Sequence, residues 1–238
     1  MKILAFAMAL VIALCGIVSA SEKDVCEGVD EKFISRHIEI PSFQIVSKRN
    51  AYSLCETIIK AEGDYIPMYV SKEGDFLILG EMFSSKVHIS RESVLKHERK
   101  AFEANKEALD KAVAFTYVPK GATTEVLYFI TDPQCPHCEN AKGRVREIAD
   151  KKGLELRVIF FPISSLSRDK AIKGICSKMT YEDYLIGKYA GVNCPEGQEK
   201  IEASMKIGRK LKVGGVPTFL TSKGLILEGF NAQGLESL

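Results

Sequence analysis

The chain has 238 residues, of which 46% are hydrophobic and 27% are charged, and this composition excludes disorder, collagen and coiled coil as descriptions of the whole chain. Its 33 basic and 31 acidic residues leave a net charge of +2, too balanced to indicate nucleic acid or an anionic membrane as the main partner. The length suits one large domain or two small ones. Seven cysteines are the first unusual feature of the composition.

Residues 1–20 are predicted to be a signal peptide that is removed after Ala20. A lysine precedes an apolar run over 3–18, and Val18 and Ser19 lead into the site that a signal peptidase reads. The alternative is an uncleaved membrane anchor, but sixteen apolar residues are fewer than the ~20 that a bilayer requires. We therefore expect an exported mature chain whose six remaining cysteines meet an oxidising compartment.

The region over 21–89 is predicted to be a small α+β domain. In chain order its patterns predict a helix over 27–36, strands over 43–48 and 52–59, and a β-hairpin formed by 65–71 and 76–83. Large apolar side chains are few in this region. A unit of this size rarely buries enough surface to be stable alone, so we expect it to need a disulfide or a partner subunit.

A single helix is predicted over 91–114, and it carries a narrow apolar stripe. Leu95, Phe102 and Leu109 recur every seven residues, and the rest of the segment is dense in Lys, Glu and Arg. A narrow stripe on a solvated helix is typical of a connection between domains, so residues 90–118 are predicted to form a linker helix. An ordinary surface helix of one domain is the alternative.

The pattern then changes to that of an α/β domain, predicted over 119–238. It predicts, in chain order, a buried strand over 126–131, a helix from 135 to 153, a strand over 156–161, helices over 169–188 and 196–212, and a hairpin of 219–221 with 225–230. The first strand, the first helix and the second strand form a βαβ unit, which implies a parallel pair of strands.

Cys135-Pro136-His137-Cys138 lies where the first of these strands ends and the helix begins. Proline suits the first helical position because it has no N–H to leave unpaired. A helix N-terminus stabilises an anion, a protonated His137 would do the same, and the thiolate is the nucleophilic form of cysteine. Cys138 lies one turn on, near enough for a disulfide with Cys135. The motif therefore indicates redox chemistry, with these four residues as the catalytic candidates.

Other kinds of site also use paired cysteines. Haem attachment requires a histidine directly after the second cysteine, and Glu139 stands there instead. A zinc site would need two more ligands, which Cys176 and Cys194 could supply, although their separation and the oxidising compartment count against it. A purely structural disulfide is uncommon at a strand-to-helix turn. We therefore predict neither a metal site nor a cofactor.

A second motif, Val216-Pro217-Thr218, precedes the final hairpin. A cis Val216–Pro217 bond would make the tight turn that this position suits, whereas trans is the commoner state of any X–Pro bond taken alone. Together the two motifs resemble the thioredoxin fold. Over nearly all of the mature chain the sequence further resembles the periplasmic protein-disulfide isomerases of the DsbC/DsbG type.

Two segments carry the closer resemblance: YVSKEGDFLILGEMF is similar to that family's dimerisation hairpin, and TYVPKGATTEVLYFITDPQCPHC to the end of its linker and its active site. The resemblance implies a periplasmic homodimer. It also implies a fold in which an N-terminal dimerisation domain (21–89) is joined by a linker helix (90–118) to a thioredoxin-like catalytic domain (119–238).

The resemblance also implies roles for single residues. Cys135 would be the attacking thiol, Cys138 the resolving thiol and Pro217 a cis-proline that faces them. Val216, Pro217 and Thr218 would form the substrate site, where Val216 offers its backbone to a substrate chain as an added strand.

The other four cysteines are expected to be structural. Cys176 and Cys194 resemble the family's second, structural pair. Cys26 and Cys55 are additional to the family pattern, and a disulfide between them would close about 29 residues of a domain with little core. A disulfide between subunits and a second redox pair are the alternatives for Cys26 and Cys55.

The sequence departs from the family at the site itself. Pro136-His137 and Val216 are similar to the DsbA-type oxidases, yet Phe129 stands where those oxidases keep a buried acid. The chain stops soon after Gly234, so the family's last helix is expected to be short. The site thus resembles an oxidase, whereas the architecture resembles an isomerase.

We expect a thiol:disulfide interchange protein that isomerises or reduces non-native disulfides in exported proteins. A dithiol oxidase that donates disulfides is the first alternative, followed by a chaperone-like module for unfolded chains and a metal-carrying thioredoxin-like protein. The expected partners are misfolded or unfolded exported proteins, a membrane thiol reductase (or oxidase) and a second copy of the chain.

Overall fold

The computed structural model describes residues 24–237, so the predicted signal peptide lies outside the described residues. Within this range the chain forms a four-stranded antiparallel sheet, a two-stranded ribbon and a five-stranded mixed sheet. None of the helices described over 24–237 has the length and apolarity that a membrane span needs.

The N-terminal part is an antiparallel meander with a short helix on one face. Its elements are α1 (Glu31–His37), β1 (Phe43–Ala51), β2 (Leu54–Ala61), β3 (Asp64–Val70), β4 (Leu77–Leu79), β5 (Phe83–Ser84) and β6 (Val87–His88). The strand order is β1-β2-β3-β4, and β5 pairs with β6. The predicted strands and the predicted hairpin, β3 with β4, are therefore present.

The first helix is shorter than predicted. It begins at Glu31, not at residue 27, because the Asp30 side chain caps it by accepting the Phe33 N–H at 2.6 Å. The residues before Asp30 instead form a turn that carries Cys26. This turn brings the chain onto the buried face of the sheet.

The prediction of one helix over 91–114 is wrong, because the segment forms two helices, α2 (Ile89–Glu103) and α3 (Lys106–Ala112). At the break, the Asn105 side-chain amide donates to the Ala101 carbonyl at 2.6 Å, a local bond that competes with the helical ladder. α2 covers the four-stranded sheet, where the Tyr69 and Ser90 hydroxyls lie 2.6 Å apart. Leu109 of α3 is buried in the core of the five-stranded sheet instead.

A short strand, β7 (Phe115–Tyr117), lies inside the range predicted to be linker helix. It pairs antiparallel with β9 (Glu155–Phe160), so it belongs to the five-stranded sheet. The Phe115 ring packs at 5.8 Å from the Phe160 ring, and this contact anchors the strand. A helix over all of 90–118 is therefore wrong, since three residues are too few to show a strand's alternation in the sequence.

The rest of the chain alternates strands and helices. In addition to β9, its elements are β8 (Val126–Thr131), α4 (Pro136–Lys152), α5 (Ser165–Cys176), α6 (Tyr181–Leu185), α7 (Pro195–Lys210), β10 (Thr218–Thr221), β11 (Ile226–Glu228) and α8 (Ala232–Glu236). The sheet order is β11-β10-β8-β9-β7. β8 and β9 are parallel as predicted, and β10 with β11 forms the predicted final hairpin.

Both faces of this sheet are covered by helices. Along β8, Leu127 and Phe129 face a core shared with α4, α5 and α6, whereas Tyr128 and Ile130 face a second core shared with α3 and α7. A strand that is buried on both faces has a continuous run of apolar residues, and the sequence over 126–131 shows such a run. The predicted α/β fold of the C-terminal part is confirmed.

The helix predicted over 169–188 is in fact α5 and α6. Lys178, with φ of 51°, lies in the left-handed region between them and ends the first helix. Thr180 then caps α6: its hydroxyl accepts the Asp183 N–H at 3.2 Å, and the Asp183 carboxylate accepts the Thr180 N–H at 3.1 Å. This reciprocal capping box starts a new helix.

Two glycines of α4 are expected to respond oppositely to alanine. Gly153 ends the helix with φ of 68°, and an added Cβ would lie 3.0 Å from the Gly121 carbonyl oxygen, so Gly153→Ala should destabilise by about 1–2 kcal/mol. Gly143 lies inside the helix with nothing within 4 Å of an added Cβ, so Gly143→Ala should stabilise by roughly 0.5–1 kcal/mol. Denaturant unfolding of the two variants checks this, and equal signs would contradict it.

Candidate active site

The two free cysteines occupy the start of α4 in unequal environments. Cys135 is the residue just before the helix, and its sulfur accepts the Cys138 N–H at 3.3 Å. Cys135 keeps 7% of its surface exposed, whereas Cys138 is completely buried. Pro136 and His137 between them are exposed on the first turn. Of the two cysteines, Cys135 is therefore the one with some surface open to solvent.

The proline loop before β10 faces the first cysteine. The Val216–Pro217 peptide bond is cis, and the Cys135 thiol donates to the Val216 carbonyl oxygen at 3.5 Å. Thr218 is buried, and its hydroxyl donates to the Gly215 carbonyl at 2.7 Å, which closes the loop on itself. The structure thus brings Cys135, Val216 and Pro217 together, while the Thr218 hydroxyl is engaged within its own loop.

A buried aspartate positions the loop that leads to Cys135. One Asp132 carboxylate oxygen accepts the Gln134 N–H at 2.6 Å, and the other accepts the Ile163 N–H at 2.8 Å. The Asp132 carbonyl also accepts the Cys135 N–H at 3.2 Å. Asp132 therefore ties the site to the loop before α5, a role that the sequence analysis did not assign to it.

Behind the helix start, the Cys138 sulfur is hydrogen-bonded to the Thr131 side chain, whose hydroxyl is paired with that of Tyr184. A hydrogen bond with the Thr131 side chain lowers the pKa of Cys138, but burial has the larger effect and raises that pKa to about 12. The Thr131 and Tyr184 hydroxyl oxygens lie 2.7 Å apart. Burial raises the pKa of Tyr184 well above its ordinary value. Both the Cys138 thiol and the Tyr184 phenol are therefore neutral at physiological pH.

A buried lysine lies one turn after Cys138. The Lys142 ammonium donates to the Tyr184 carbonyl at 3.0 Å, pairs with the Glu139 carboxylate and lies 5.3 Å from the centre of the Tyr184 ring. These contacts satisfy a charge that would otherwise be costly to bury. Lys142 lies on the buried face of α4. A lysine among apolar residues at helical spacing is the feature of the sequence that could have indicated a buried charge here.

The remaining cysteines form two disulfides within the chain, Cys26 with Cys55 and Cys176 with Cys194. The sulfurs of Cys176 and Cys194 are bonded to each other, so they are not available to a zinc ion together with the pair on α4. The favoured pairing of all four residues is thus the one that the structure contains.

Several solved structures share a distant likeness with the chain. The catalytic domain of ScsC from Proteus mirabilis has a TM-score of 0.48 at 18% identity, over 58% of this chain and 94% of that chain. The thiol-disulfide exchange protein α-DsbA2 from Wolbachia pipientis has a TM-score of 0.47 at 14% identity, over 60% and 94%. DsbG from Helicobacter pylori has a TM-score of 0.37 at 19% identity, over 75% and 93%.

Comparison of the sequence with known proteins identifies the family of the chain. No curated protein matches the chain. The sequence model of the thioredoxin-like domain family matches residues 111–234, just over half of the chain, and this range includes β7, the CPHC motif and the cis-proline loop. The chain therefore belongs to the thioredoxin-like domain family.

Proposed function

We propose that the protein is a thiol–disulfide oxidoreductase that isomerises or reduces non-native disulfides in exported proteins. The observation that carries this proposal is the placement of the Cys135 sulfur at the start of α4, 3.5 Å from the Val216 carbonyl oxygen of the cis-proline loop. Cys135 lies at the positive end of α4, and the thiolate is the nucleophilic form of cysteine. Pro136 starts the helix without leaving an N–H unpaired.

The proposed reaction begins with attack of the Cys135 thiolate on a substrate disulfide. A bond forms between Cys135 and one substrate sulfur, and the other substrate sulfur leaves with the electron pair. In isomerisation a different substrate thiolate then attacks the mixed disulfide and releases Cys135, so no net oxidation occurs. In reduction the Cys138 sulfur attacks Cys135 instead, the substrate leaves reduced, and a membrane thiol reductase must reduce the Cys135–Cys138 disulfide.

Unfolded exported chains are the proposed substrates. The backbone of Val216 borders the attacking sulfur and suits an extended peptide added as a strand. Ile163 and Leu166, on the segment tied to the site through Asp132, leave 68% and 64% of their surfaces exposed. Exposed apolar side chains beside a reactive sulfur favour segments that folded proteins bury.

The N-terminal domain is proposed to form a homodimer. β4 lies at the edge of its sheet, where strand pairing with a second copy is possible. Large apolar side chains are exposed on β4 to β6 and just before them, at Phe76, Ile78, Leu79, Phe83 and Val87. Burying this patch in a dimer would remove it from water and add stability to a domain with a small core.

We place the protein in the periplasm, where the predicted signal peptide would deliver it and where two disulfides would persist. A reduced Cys135–Cys138 pair in that compartment depends on electrons from a membrane thiol reductase. The oxidase alternative would depend on a membrane oxidase.

Reactivation of ribonuclease with scrambled disulfides tests the proposal, with fully reduced ribonuclease as a parallel substrate at the same glutathione ratio. We expect reactivation of the scrambled enzyme, and a dimer by equilibrium sedimentation. Fast oxidation of the reduced enzyme with no rescue of the scrambled one would support the dithiol oxidase. Suppression of aggregation that survives Cys135→Ala, without either activity, would support the chaperone-like alternative.

A further inference from the structure

We propose that Thr131 and Tyr184 are positioning residues for the resolving step: their paired hydroxyls stabilise the Cys138 thiolate when it attacks the mixed disulfide. The inference depends on the proposed thiol–disulfide exchange and assigns to these two residues a part in it. Neither residue touches the substrate, because both are buried behind the helix start.

The pair is assembled from two separate elements. Thr131 is the last residue of β8, Tyr184 lies in α6, and their hydroxyl oxygens are 2.7 Å apart although the residues are 53 positions apart. The Lys142 ammonium holds α6 against α4 by donating to the Tyr184 carbonyl at 3.0 Å. Because the Thr131 side chain is also hydrogen-bonded to Cys138, it connects that sulfur to the Tyr184 hydroxyl.

Hydroxyl groups suit a sulfur that must change its charge. Each hydroxyl can donate one hydrogen bond and accept others, and the geometry allows either oxygen to donate to the other. With Cys138 as a thiol, its S–H donates to Thr131, which donates to Tyr184. With Cys138 as a thiolate, Tyr184 donates to Thr131, which donates to the sulfur. The pair can thus reverse without moving a heavy atom, and bonds to the charged sulfur are the stronger ones.

These hydroxyls assist the resolving step, in which Cys138 displaces the substrate sulfur from Cys135. Cys138 releases its proton to solvent, and its sulfur attacks the sulfur of Cys135. A Cys135–Cys138 bond forms as the bond from Cys135 to the substrate sulfur breaks. The substrate sulfur leaves with that electron pair and takes up a proton from solvent, so the substrate disulfide has gained two electrons and the two cysteines have lost them.

The other titratable and charged groups near Cys138 are Asp132, Cys135, Glu139, Lys142 and Tyr189. Cys135 is in hydrogen-bond contact with Cys138, but during the resolving step it is bonded to the substrate sulfur and carries no charge. Both carboxylate oxygens of Asp132 accept backbone N–H groups, and Glu139 is paired with Lys142. Burial raises the pKa of Tyr189 above its ordinary value, so it carries no charge.

Phe129, six residues before Cys135, is an apolar residue and supplies no charge near Cys138. Phe129 stacks on Phe219 with ring centres 5.1 Å apart, in the core between the sheet and α4. No carboxylate at that position can take the Cys138 proton. The hydrogen-bonding groups that lower the pKa of this sulfur are the Thr131 side chain and the Asp132 backbone. Of these two, Thr131 is the one whose hydroxyl is paired with a second hydroxyl, that of Tyr184.

The test separates the two thiols by mixing the reduced protein with dithiobis-nitrobenzoate from neutral to alkaline pH. The first thionitrobenzoate released reports attack by Cys135, and the second reports attack by Cys138 on the mixed disulfide. In Thr131→Val and in Tyr184→Phe we expect the second release to slow by about tenfold at neutral pH, with its pH profile moved to higher pH. The first release should stay unchanged, which also shows that each variant is folded.

Two further variants make the test specific. Thr131→Ser keeps the hydroxyl and should restore the second release. Tyr181→Phe removes another buried phenol of α6, whose hydroxyl donates to the Lys142 carbonyl at 2.9 Å, and should leave both releases unchanged. An unchanged second release in both Thr131→Val and Tyr184→Phe would overturn the inference and leave the proposed function standing. A first release no faster than that of free cysteine in the unaltered protein would overturn both.

Discussion

Replacing Cys135 with alanine is expected to lower the reactivation of scrambled ribonuclease to the rate of the glutathione buffer alone. Cys138→Ala should keep a measurable part of the activity, because isomerisation needs only the attacking sulfur. The asymmetry follows from burial: Cys138 is fully buried, with a pKa of about 12, so only about one part in 10⁵ of it is thiolate at pH 7. Cys138 cannot replace Cys135 as the attacking group.

Alkylation with iodoacetamide, followed by mass spectrometry, checks the same asymmetry without a protein substrate. The reduced protein should take one label at neutral pH, at Cys135, and Cys135→Ala should take none. Labelling of Cys138 in Cys135→Ala should accelerate about tenfold per pH unit as the pH rises toward about 12, since burial raises its pKa. Cys138→Ala, which should label normally, is the control. Rapid labelling of Cys138 at neutral pH would contradict the assignment.

The elements that the sequence predicted correctly are those whose pattern depends on neighbours in the chain. The apolar run over 126–131 predicts a strand buried on both faces, and the structure contains it. Gly153 predicts the end of α4, and in the structure its φ is 68°. The predictions of single helices over 91–114 and 169–188 were wrong for a different reason. A stripe over 91–114 does not show that Phe102 and Leu109 are separated by a break at Asn105.

One missed boundary did have a signal in the sequence. Thr180 followed by Asp183 is a capping-box pattern, and it marks the start of α6 inside the predicted helix over 169–188. Apolar periodicity alone joined the two helices because both have buried residues at similar spacing.

The same distinction applies to the candidate site. The sequence offers Cys135, Cys138 and Pro217 as candidates because their motifs are local. The partners of Cys138 were not found, because the contact between Thr131 and Tyr184 spans 53 residues and depends on how α6 docks against β8. The sequence shows Lys142 as a lysine on an apolar helix face, but its partners can be identified only in the structure.

The disulfide of the N-terminal domain is the second feature with a large expected effect. Cys26 lies in the turn before α1, and Cys55 begins the most buried stretch of β2. The Lys48 ammonium adds bonds to the Cys26 carbonyl at 3.3 Å and to the Val29 carbonyl at 2.8 Å. The turn is therefore held to the sheet by the disulfide, by the Lys48 side chain and by burial of Val25 and Val29 in the core of this part of the chain.

The double variant Cys26→Ala/Cys55→Ala is expected to destabilise the N-terminal domain by about 3.5 kcal/mol, from the chain-entropy model for a loop closed over 29 residues. For a domain of this size that corresponds to a fall of more than roughly 10 °C in its unfolding midpoint. The loss should be severe because the described core of this domain is small, with ten buried side chains against nineteen in the core beside α4. Calorimetry and hydrogen exchange of the β2 and β3 amides measure it.

Cys176→Ala/Cys194→Ala is the matched control, because that disulfide closes a loop over 18 residues and should contribute a similar ~3 kcal/mol, but to the C-terminal α/β part of the chain. The two double variants should therefore weaken different amides: those of β2 and β3 in one, and those of α5 and α7 in the other. If Cys26→Ala/Cys55→Ala left the stability intact and abolished ribonuclease reactivation, the pair would be a second redox site. Loss of stability with exchange at Cys135 preserved would make it a clamp on the domain that is proposed to hold the dimer together.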